Sequence, residues 1–232
     1  DVSMHAITYF LPSYAGFLVE DEVKHLSQIM NAKKGLVIIF GGAKVKTKLK
    51  LIKKSSQKAD SVLVGGALAN TILAAAGYTV GKSLVERNLF SLARELSKSA
   101  INMPIDVRVA KTLKSKTAKT FLVSQVPKNY MILDIGPKTI KNYINILKSA
   151  KLIVCNGPFG YFENKIFMAG SREIMKALAK TKAKVIIGGG ETVELARQLK
   201  LDKKFDFIST GGGAMLTFLQ GKKMPVLERL RK

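Results

Sequence analysis

The sequence has one cysteine, no tryptophan and no long apolar run, and these scarcities exclude several classes of protein. Because Cys155 is a single cysteine, it cannot form an internal disulfide framework, and it suits a reducing compartment. No apolar stretch reaches the roughly 18 residues that a membrane helix needs, and the start of the sequence has no signal-peptide pattern. We therefore expect a cytoplasmic protein that does not engage a membrane.

Arginine is scarce although the chain is strongly basic. Only seven of the 39 basic residues are arginine, and the excess over 16 acidic residues gives a net charge of +23. Such a charge favours nucleic acid or another polyanion as a partner. However, the lysines are spread along the chain without a long basic block or interleaved aromatic residues. We expect a solvated lysine-rich surface and no specific nucleic-acid site, and a non-catalytic basic module that engages nucleic acid is the alternative.

Two common nucleotide signatures are also missing. No G-x-G-x-x-G occurs, which argues against a dinucleotide-binding dehydrogenase. Residues 77–83 resemble a P-loop, but only three residues separate their glycines where the motif has four. Cys155 lies in the apolar run 152–155, which indicates a buried, inert thiol rather than a nucleophile. His5 and His25 are expected to be structural or exposed.

What the sequence does contain is a repeated strand–glycine–helix pattern. Apolar runs end in glycines and lead into helix-like sequence at residues 37–44, 62–67, 185–192 and 205–215. Continuous apolar runs are typical of parallel strands buried on both faces. Glycine turns leave the amides at a helix start free to meet an anion, so turns gathered at one sheet edge favour nucleotide binding. The rival interpretation of each turn is a tight connection without a ligand.

The rest of the sequence continues this alternation. Apolar spacing predicts helices over 15–30, 46–58, 67–76, 85–99, 139–149, 171–180, 191–199 and 214–220. Strands are predicted over 36–40, 62–64, 105–110, 130–135, 152–155, 185–187 and 206–208, with a small β excursion at 120–124. We expect a single α/β domain of the doubly wound, Rossmann-like type, with a mostly parallel sheet and helices on both faces.

Lys44 and Lys48 flank the start of the second predicted helix, four residues apart and hence on one side. Two ammonium groups at that point could meet phosphates. The competing interpretation is two solvated lysines among many.

Seven motifs, read in order, resemble the C-terminal, nucleotide-binding half of the phosphoglycerate kinase family. They are FLPSYAG at 10–16, GGAKV at 41–45, GGALANT at 65–71, LDIGPKT at 133–139, NGPFGYFE at 156–163, GGGET at 188–192 and STGGGA at 209–214. The resemblance implies an interdomain-type helix within 1–31, a nucleotide-binding domain over 32–221 and a C-terminal tail at 222–232.

The family enzyme has two domains and reversibly transfers the acyl phosphate of 1,3-bisphosphoglycerate to Mg-ADP in glycolysis. For this chain the resemblance implies ADP or ATP as the nucleotide, Mg²⁺ as cofactor and a monomer. The sequence begins at Asp1 about where the interdomain helix would start, so the phosphoglycerate-binding N-terminal half lies outside it. We therefore expect 3-phosphoglycerate to bind only through that half, and the chain alone to lack turnover.

The resemblance also implies a role for individual residues. Lys44 and Lys48 would contact phosphates, with Lys48 nearest the transferred group, and Glu163 would hold the ribose hydroxyls. Glu191, where the family usually has aspartate, would face Mg²⁺. The residues expected to border the adenine are Gly42, Ala43, Gly66, Ala67, Leu84 and Leu133. Those expected near the phosphates are Asn156, Gly157, Pro158 and Thr192, and those expected to cradle the transferring phosphoryl are Gly211, Gly212 and Gly213.

Overall fold

The computed structural model describes residues 2–230; Asp1, Arg231 and Lys232, which fall in the predicted terminal segments, lie outside the described residues. The strands are β1 Leu36–Phe40, β2 Ser61–Val64, β3 Asp106–Ala110, β4 Lys119–Leu122, β5 Met131–Ile135, β6 Leu152–Asn156, β7 Lys184–Gly188 and β8 Phe207–Ser209. The helices are α1 Phe17–Asn31, α2 Val45–Ser55, α3 Gly66–Ala75, α4 Phe90–Ser97, α5 Pro137–Leu147, α6 Ala169–Leu178, α7 Gly190–Gln198, α8 Gly213–Leu219 and α9 Pro225–Leu230.

The central sheet is parallel and has the order β2-β1-β6-β7-β8. Its register aligns the strand ends, because Phe40 pairs with both Val64 and Asn156, and Gly188 pairs with both Asn156 and Ser209. The chain leaves β1 towards β2 on one side and leaves β6 towards β7 and β8 on the other. The strand order therefore reverses between β1 and β6, the kind of switch point at which open α/β sheets bind ligands.

Helices cover both faces of this sheet, as predicted. Side chains alternate along β1: Ile38 and Phe40 pack with α1, α2, α3 and α8, whereas Val37 and Ile39 pack with α5, α6 and α7. Both faces of the strands are thus buried in apolar clusters, which explains why the strands read as continuous apolar runs in the sequence.

The β excursion predicted over 120–124 is strand β4, which forms a second, antiparallel sheet with β3 and β5 in the order β4-β3-β5. Asp106 on β3 joins it to α5, because its carboxylate accepts the backbone N–H groups of Lys138 at 3.1 Å and Thr139 at 2.8 Å. These amides lie in the first turn of α5, where no helical carbonyl is available to them.

The largest differences from the predictions lie in two segments. The helix expected over 85–99 begins at Phe90, after a 3₁₀ turn at Arg87–Leu89, because residues 84–86 contribute to a loop instead. The segment expected as a tail from residue 222 contains helix α9. Within residues 2–230, no helix combines the length and the apolar character that crossing a membrane requires.

Candidate functional site

The turns after β1 and β6 pack directly against each other. The amide of Gly41 donates to the carbonyl of Asn156 at 3.1 Å, and that of Gly42 donates to the carbonyl of Pro158 at 2.7 Å. Gly157 has φ +105°, and a Cβ there would lie 2.3 Å from the carbonyl oxygen of Gly41. Only glycine fits this contact without displacing the neighbouring backbone. The two turns thereby form one surface at the switch point.

Lys48 on α2 reaches into this contact. Its Nζ donates to the carbonyl of Gly41 at 2.7 Å and to that of Asn156 at 3.2 Å. The side chain is buried, and burial lowers the pKa of its ammonium group to about 8, although the charge of Glu191 acts in the opposite direction. We call Gly41, Gly42, Lys48, Asn156 and Gly157 the switch-point cluster.

The turn after β7 joins the cluster from the other side. The side-chain Nδ2 of Asn156 donates to the carbonyl of Gly188 at 3.0 Å, and the backbone amide of Gly157 donates to Oγ1 of Thr192 at 2.7 Å. A Cβ on Gly42 would lie 2.8 Å from Oε2 of Glu191 and 3.3 Å from Nζ of Lys48. The carboxylate and the ammonium group therefore approach the same glycine.

A cavity of about 470 Å³ opens beside the cluster. The predicted site residues that line it are Gly42, Ala43, Gly66, Ala67, Leu84, Leu133, Pro158, Glu163 and Glu191. Its size lies in the range of small-ligand sites, and its largely apolar wall suits a flat aromatic ring. All the residues expected to border the adenine therefore lie on one cavity, with the acidic side chains of Glu163 and Glu191 also on its wall.

The structure adds lining residues that the sequence analysis missed. The loop from Pro158 to Glu163 forms a continuous wall, to which Phe159, Gly160, Tyr161 and Phe162 contribute. Asp134 at the end of β5 lies beneath that wall and is 1% exposed. The LDIGPKT motif carried the signal for Asp134, since it puts an acidic residue at the end of an apolar strand.

The turn after β8 is arranged differently. We call residues 209–213 the edge turn, because β8 is an edge strand of the sheet. The Glu22 carboxylate of α1 accepts the amides of Thr210 at 2.6 Å and Gly211 at 3.2 Å, and the Ser209 hydroxyl at 2.8 Å. The sequence analysis missed this role of Glu22. Gly211, Gly212 and Gly213 thus follow the carboxyl end of a strand of the parallel sheet, as predicted, but they do not line the cavity.

The remaining candidates from the sequence are the lysine pair, the single cysteine and a histidine. Lys44 is exposed at the start of α2, whereas Lys48 is buried, so the pair does not form one solvated patch. Cys155 is buried, and burial raises the pKa of its thiol to about 12, as expected of an inert cysteine. His25 stacks on Phe207 with ring centroids 4.1 Å apart, a structural contact.

The side chains of the site offer Mg²⁺ too few oxygen atoms unless a bound nucleotide supplies the rest. Among residues 2–230 no group of three or more His, Cys, Asp or Glu side chains could hold a metal ion. Glu191 supplies one carboxylate beside Gly42, in the first turn of α7. Since Mg²⁺ usually takes one or two carboxylates with phosphate oxygens and water, this arrangement fits a metal that arrives with a nucleotide.

Comparison with known proteins identifies the family. The family model described as phosphoglycerate kinase matches residues 1–222. The chain is 41% identical over 237 residues to a phosphoglycerate kinase of Akkermansia muciniphila, covering 96% of this chain and 59% of that protein. It is 43% identical over 219 residues to one of Lactobacillus acidophilus, covering 92% of this chain and 54% of that protein.

Solved structures agree with the sequence relatives. The phosphoglycerate kinase from Coxiella burnetii has a TM-score of 0.92 and 36% identity, over 99% of this chain and 62% of that chain. The enzyme from Pyrococcus horikoshii has a TM-score of 0.83 and 31% identity, over 99% of this chain and 60% of that chain. The chain therefore spans little more than half the length of these relatives, and it belongs to the phosphoglycerate kinase family.

Proposed function

We propose that this chain is the nucleotide-binding half of a phosphoglycerate kinase, which binds ADP or ATP with Mg²⁺. The observation that carries the proposal is the buried Lys48 ammonium group at the switch point, within a glycine-rich surface beside a 470 Å³ cavity. A buried ammonium group without a carboxylate bonded to it is costly, and the phosphates of a nucleotide would offset that cost.

The proposed site gives the nucleotide one orientation. The base would occupy the apolar part of the cavity between Ala67, Leu84 and Leu133, and the ribose would lie near Glu163. The phosphates would then reach the switch-point cluster, where Lys48 is the cationic group. Glu191 would hold Mg²⁺ together with the nucleotide, and the ion would supply charge neutralisation there.

In the full reaction a phosphoryl group would pass between a carboxyl oxygen of 1,3-bisphosphoglycerate and a β-phosphate oxygen of ADP. Phosphoryl transfer depends mainly on positioning and on stabilising charge, which requires little covalent chemistry from the protein. Lys48 would stabilise charge on the transferring group, and the amides of Gly212 and Gly213 are proposed to approach it from the edge turn. The Gly211 amide would join them only after leaving the Glu22 carboxylate. Lys44 and Thr192 would contact the remaining phosphate oxygens.

The proposal assigns phosphoglycerate binding to a part outside this chain. In support, the chain covers 54% to 62% of the relatives compared above. We expect the isolated chain to bind nucleotide as a monomer in the cytoplasm and to lack turnover, because the proposal places the site of one of the two reacting substrates outside it.

Titration calorimetry with Mg-ADP tests the first part of the proposal. We expect saturable binding of one nucleotide per chain; no detectable binding at millimolar Mg-ADP would contradict it. A coupled assay with 3-phosphoglycerate and ATP tests the second part, since turnover at the level of a complete phosphoglycerate kinase would refute the expected inactivity. Titration with single-stranded and duplex oligonucleotides is the control, because steeply salt-dependent binding to them without nucleotide binding would favour the basic-module alternative.

A further inference from the structure

Asp134 is the penultimate residue of β5, and its buried carboxylate engages two different elements. Oδ2 accepts the amide of Gly170, in the first turn of α6, at 2.7 Å. Oδ1 accepts the amide of Ile135 at 2.9 Å. The carboxylate thereby joins the end of β5 to the start of α6.

Two glycines make room for this carboxylate. A Cβ on Gly170 would lie 2.4 Å from Oδ1 of Asp134, and a Cβ on Gly160 would lie 2.5 Å from the same atom. Such distances are shorter than contacts between a real Cβ and an oxygen, so any larger residue would displace the carboxylate. The carboxylate is therefore packed between α6 and the Pro158–Glu163 wall of the cavity.

The Pro158–Glu163 wall is hydrogen-bonded to both of the elements that Asp134 joins, β5 and α6. The amide of Tyr161 donates to the carbonyl of Leu133 on β5 at 2.8 Å. The amides of Phe159 and Gly160 donate to Oγ of Ser171 on α6, at 2.8 Å and 3.1 Å. Because the wall is bonded to β5 and to α6, the separation of these two elements determines where the wall lies.

The carboxylate occupies this position without an ion pair among residues 2–230. Arg108 on β3 and Arg172 on α6 act on it only through their charge, and burial outweighs them, raising the pKa of Asp134 to about 7. Asp106 is also a buried carboxylate that accepts backbone amides, but it does not line the cavity. What distinguishes Asp134 is therefore its position against the wall of the cavity, and not the burial of a carboxylate.

We propose that Asp134 is a positioning residue of the nucleotide site: its carboxylate sets the spacing of β5 and α6 and so places the Pro158–Glu163 wall, with Glu163, against the nucleotide. This inference rests on the proposed function, because it requires ADP as the ligand of the cavity. Asp134 itself acts through the wall and makes no bond to the reacting atoms.

The test compares Asp134→Asn with Asp106→Asn at pH 8. Asp106 is a matched control, because its buried carboxylate also accepts backbone amides in the first turn of a helix but does not line the cavity. For Asp134→Asn we expect a dissociation constant for Mg-ADP about tenfold higher, since one accepted amide bond becomes a donor–donor contact. We expect hydrogen exchange at the amides of Phe159, Gly160 and Tyr161 to rise by a similar factor, while the urea midpoint does not fall.

The Asp106→Asn control separates a loss of stability from a loss of nucleotide affinity, and a second variant covers the case in which Asp134→Asn does not fold. Asp106→Asn should lower the urea midpoint and leave the Mg-ADP dissociation constant within about twofold, because its bonds stabilise α5 alone. If Asp134→Asn does not fold, Gly170→Ala keeps the carboxylate but crowds both it and Cγ1 of Ile135, each 2.4 Å from the new Cβ, and it should weaken Mg-ADP binding in the same way.

Three outcomes would overturn the inference. The first is an Asp134→Asn protein with unchanged Mg-ADP affinity and unchanged wall exchange while the wild type binds normally; this outcome leaves the proposed function intact. The second is an affinity loss that only accompanies a lower urea midpoint, as in a structural role. The third is a wild type that does not bind Mg-ADP at all, which refutes the proposed function together with the nucleotide role of Asp134, even if the wall exchanges faster in the variant.

Discussion

The switch-point cluster and the edge turn are both glycine-rich ends of parallel strands, yet they differ in what their polar groups contact. In the cluster, the turns after β1 and β6 bond to each other, and the buried Lys48 lies between them. In the edge turn, the amides of Thr210 and Gly211 are bonded to a carboxylate from α1. A glycine turn at a strand end is therefore not sufficient for an anion site; the neighbours that its strand order supplies decide its role.

The edge turn also differs from the switch-point cluster in the charge beside it. Glu22 puts a negative group where the proposed function expects a phosphoryl group to approach. A phosphoryl group bonded to the amides of Thr210 and Gly211 would lie within a few ångströms of the Glu22 carboxylate. Two negative groups repel at that separation, so they cannot share these amides. The proposed role of the edge turn thus leaves Gly212 and Gly213 as the amides that a phosphoryl group would meet in this arrangement.

The largest expected effect is the difference in stability between adding a methyl group to the switch-point cluster and adding one to the edge turn. Gly157→Ala should destabilise the fold by about 4 kcal/mol, because φ is +105° and the new Cβ would lie 2.3 Å from the Gly41 carbonyl oxygen. Gly213→Ala should change stability by less than about 0.5 kcal/mol, because no atom lies within 4 Å of its new Cβ. Urea unfolding measures both; equal losses would contradict the contrast between cluster and edge turn.

The next effect concerns Lys48. In a chain joined to the N-terminal half of a phosphoglycerate kinase, Lys48→Met should lower kcat about 100-fold, with a smaller rise in the Mg-ADP dissociation constant, because the transferring group changes charge most in the transition state. Lys50→Met is the control, since Lys50 is exposed on the same helix. Steady-state kinetics and calorimetry separate the two quantities, and similar effects of both variants would remove Lys48 from its proposed role.

A pH effect follows from Asp134. Its pKa is about 7 in the folded chain against an ordinary value of 3.8, so the folded state holds an extra proton between those values. Stability from this group is therefore complete below pH 4 and is lost as the pH rises through 7. Between pH 5.5 and pH 7 the loss should be about 1.5 kcal/mol.

Urea unfolding of the wild type and of Asp134→Asn across this window isolates the effect. The difference in unfolding free energy between the two proteins should shift in favour of the variant as the pH rises. A difference that stays constant from pH 5.5 to pH 8 would show that Asp134 does not titrate there.

The smallest expected effect concerns Glu191 and the metal. Glu191→Gln should reduce by about tenfold the gain in ADP affinity that Mg²⁺ provides, because an amide is a weaker Mg²⁺ ligand than a carboxylate. Glu194→Gln on the exposed side of the same helix should leave that gain unchanged. Calorimetry with ADP in the presence of Mg²⁺ or EDTA gives the ratio, and an unaltered ratio in Glu191→Gln would assign the metal to other ligands.

Much of the fold was predictable because its strands are buried on both faces. Such strands leave an uninterrupted apolar run, and their glycine ends are equally visible, so the parallel sheet and its carboxyl edge followed from residues such as 36–40 and 185–188. Helix ends were less predictable: residues 85–89 have apolar spacing, yet α4 begins at Phe90. Helix α9 was missed, because its six residues are too few for a helical apolar period to be recognised.

The site was predictable where it rests on backbone, and less so where it rests on distant side chains. The family resemblance of their motifs grouped Gly42, Gly66 and Leu133, and all three line one cavity. Glu22 lies 188 residues from Thr210, and Asp134 lies 36 residues from Gly170. No local pattern reports such pairs, since they exist only once the helices are packed on the sheet.

Amide chemical-shift mapping with Mg-ADP tests the central claim most directly: that the glycine turns after β1, β6 and β7 form one nucleotide site. The proposed site predicts that the largest shifts fall on residues 41–44, 66–67, 156–163 and 190–192, and that they saturate together. Shifts scattered over unrelated faces of the molecule, or no shifts at millimolar Mg-ADP, would contradict it.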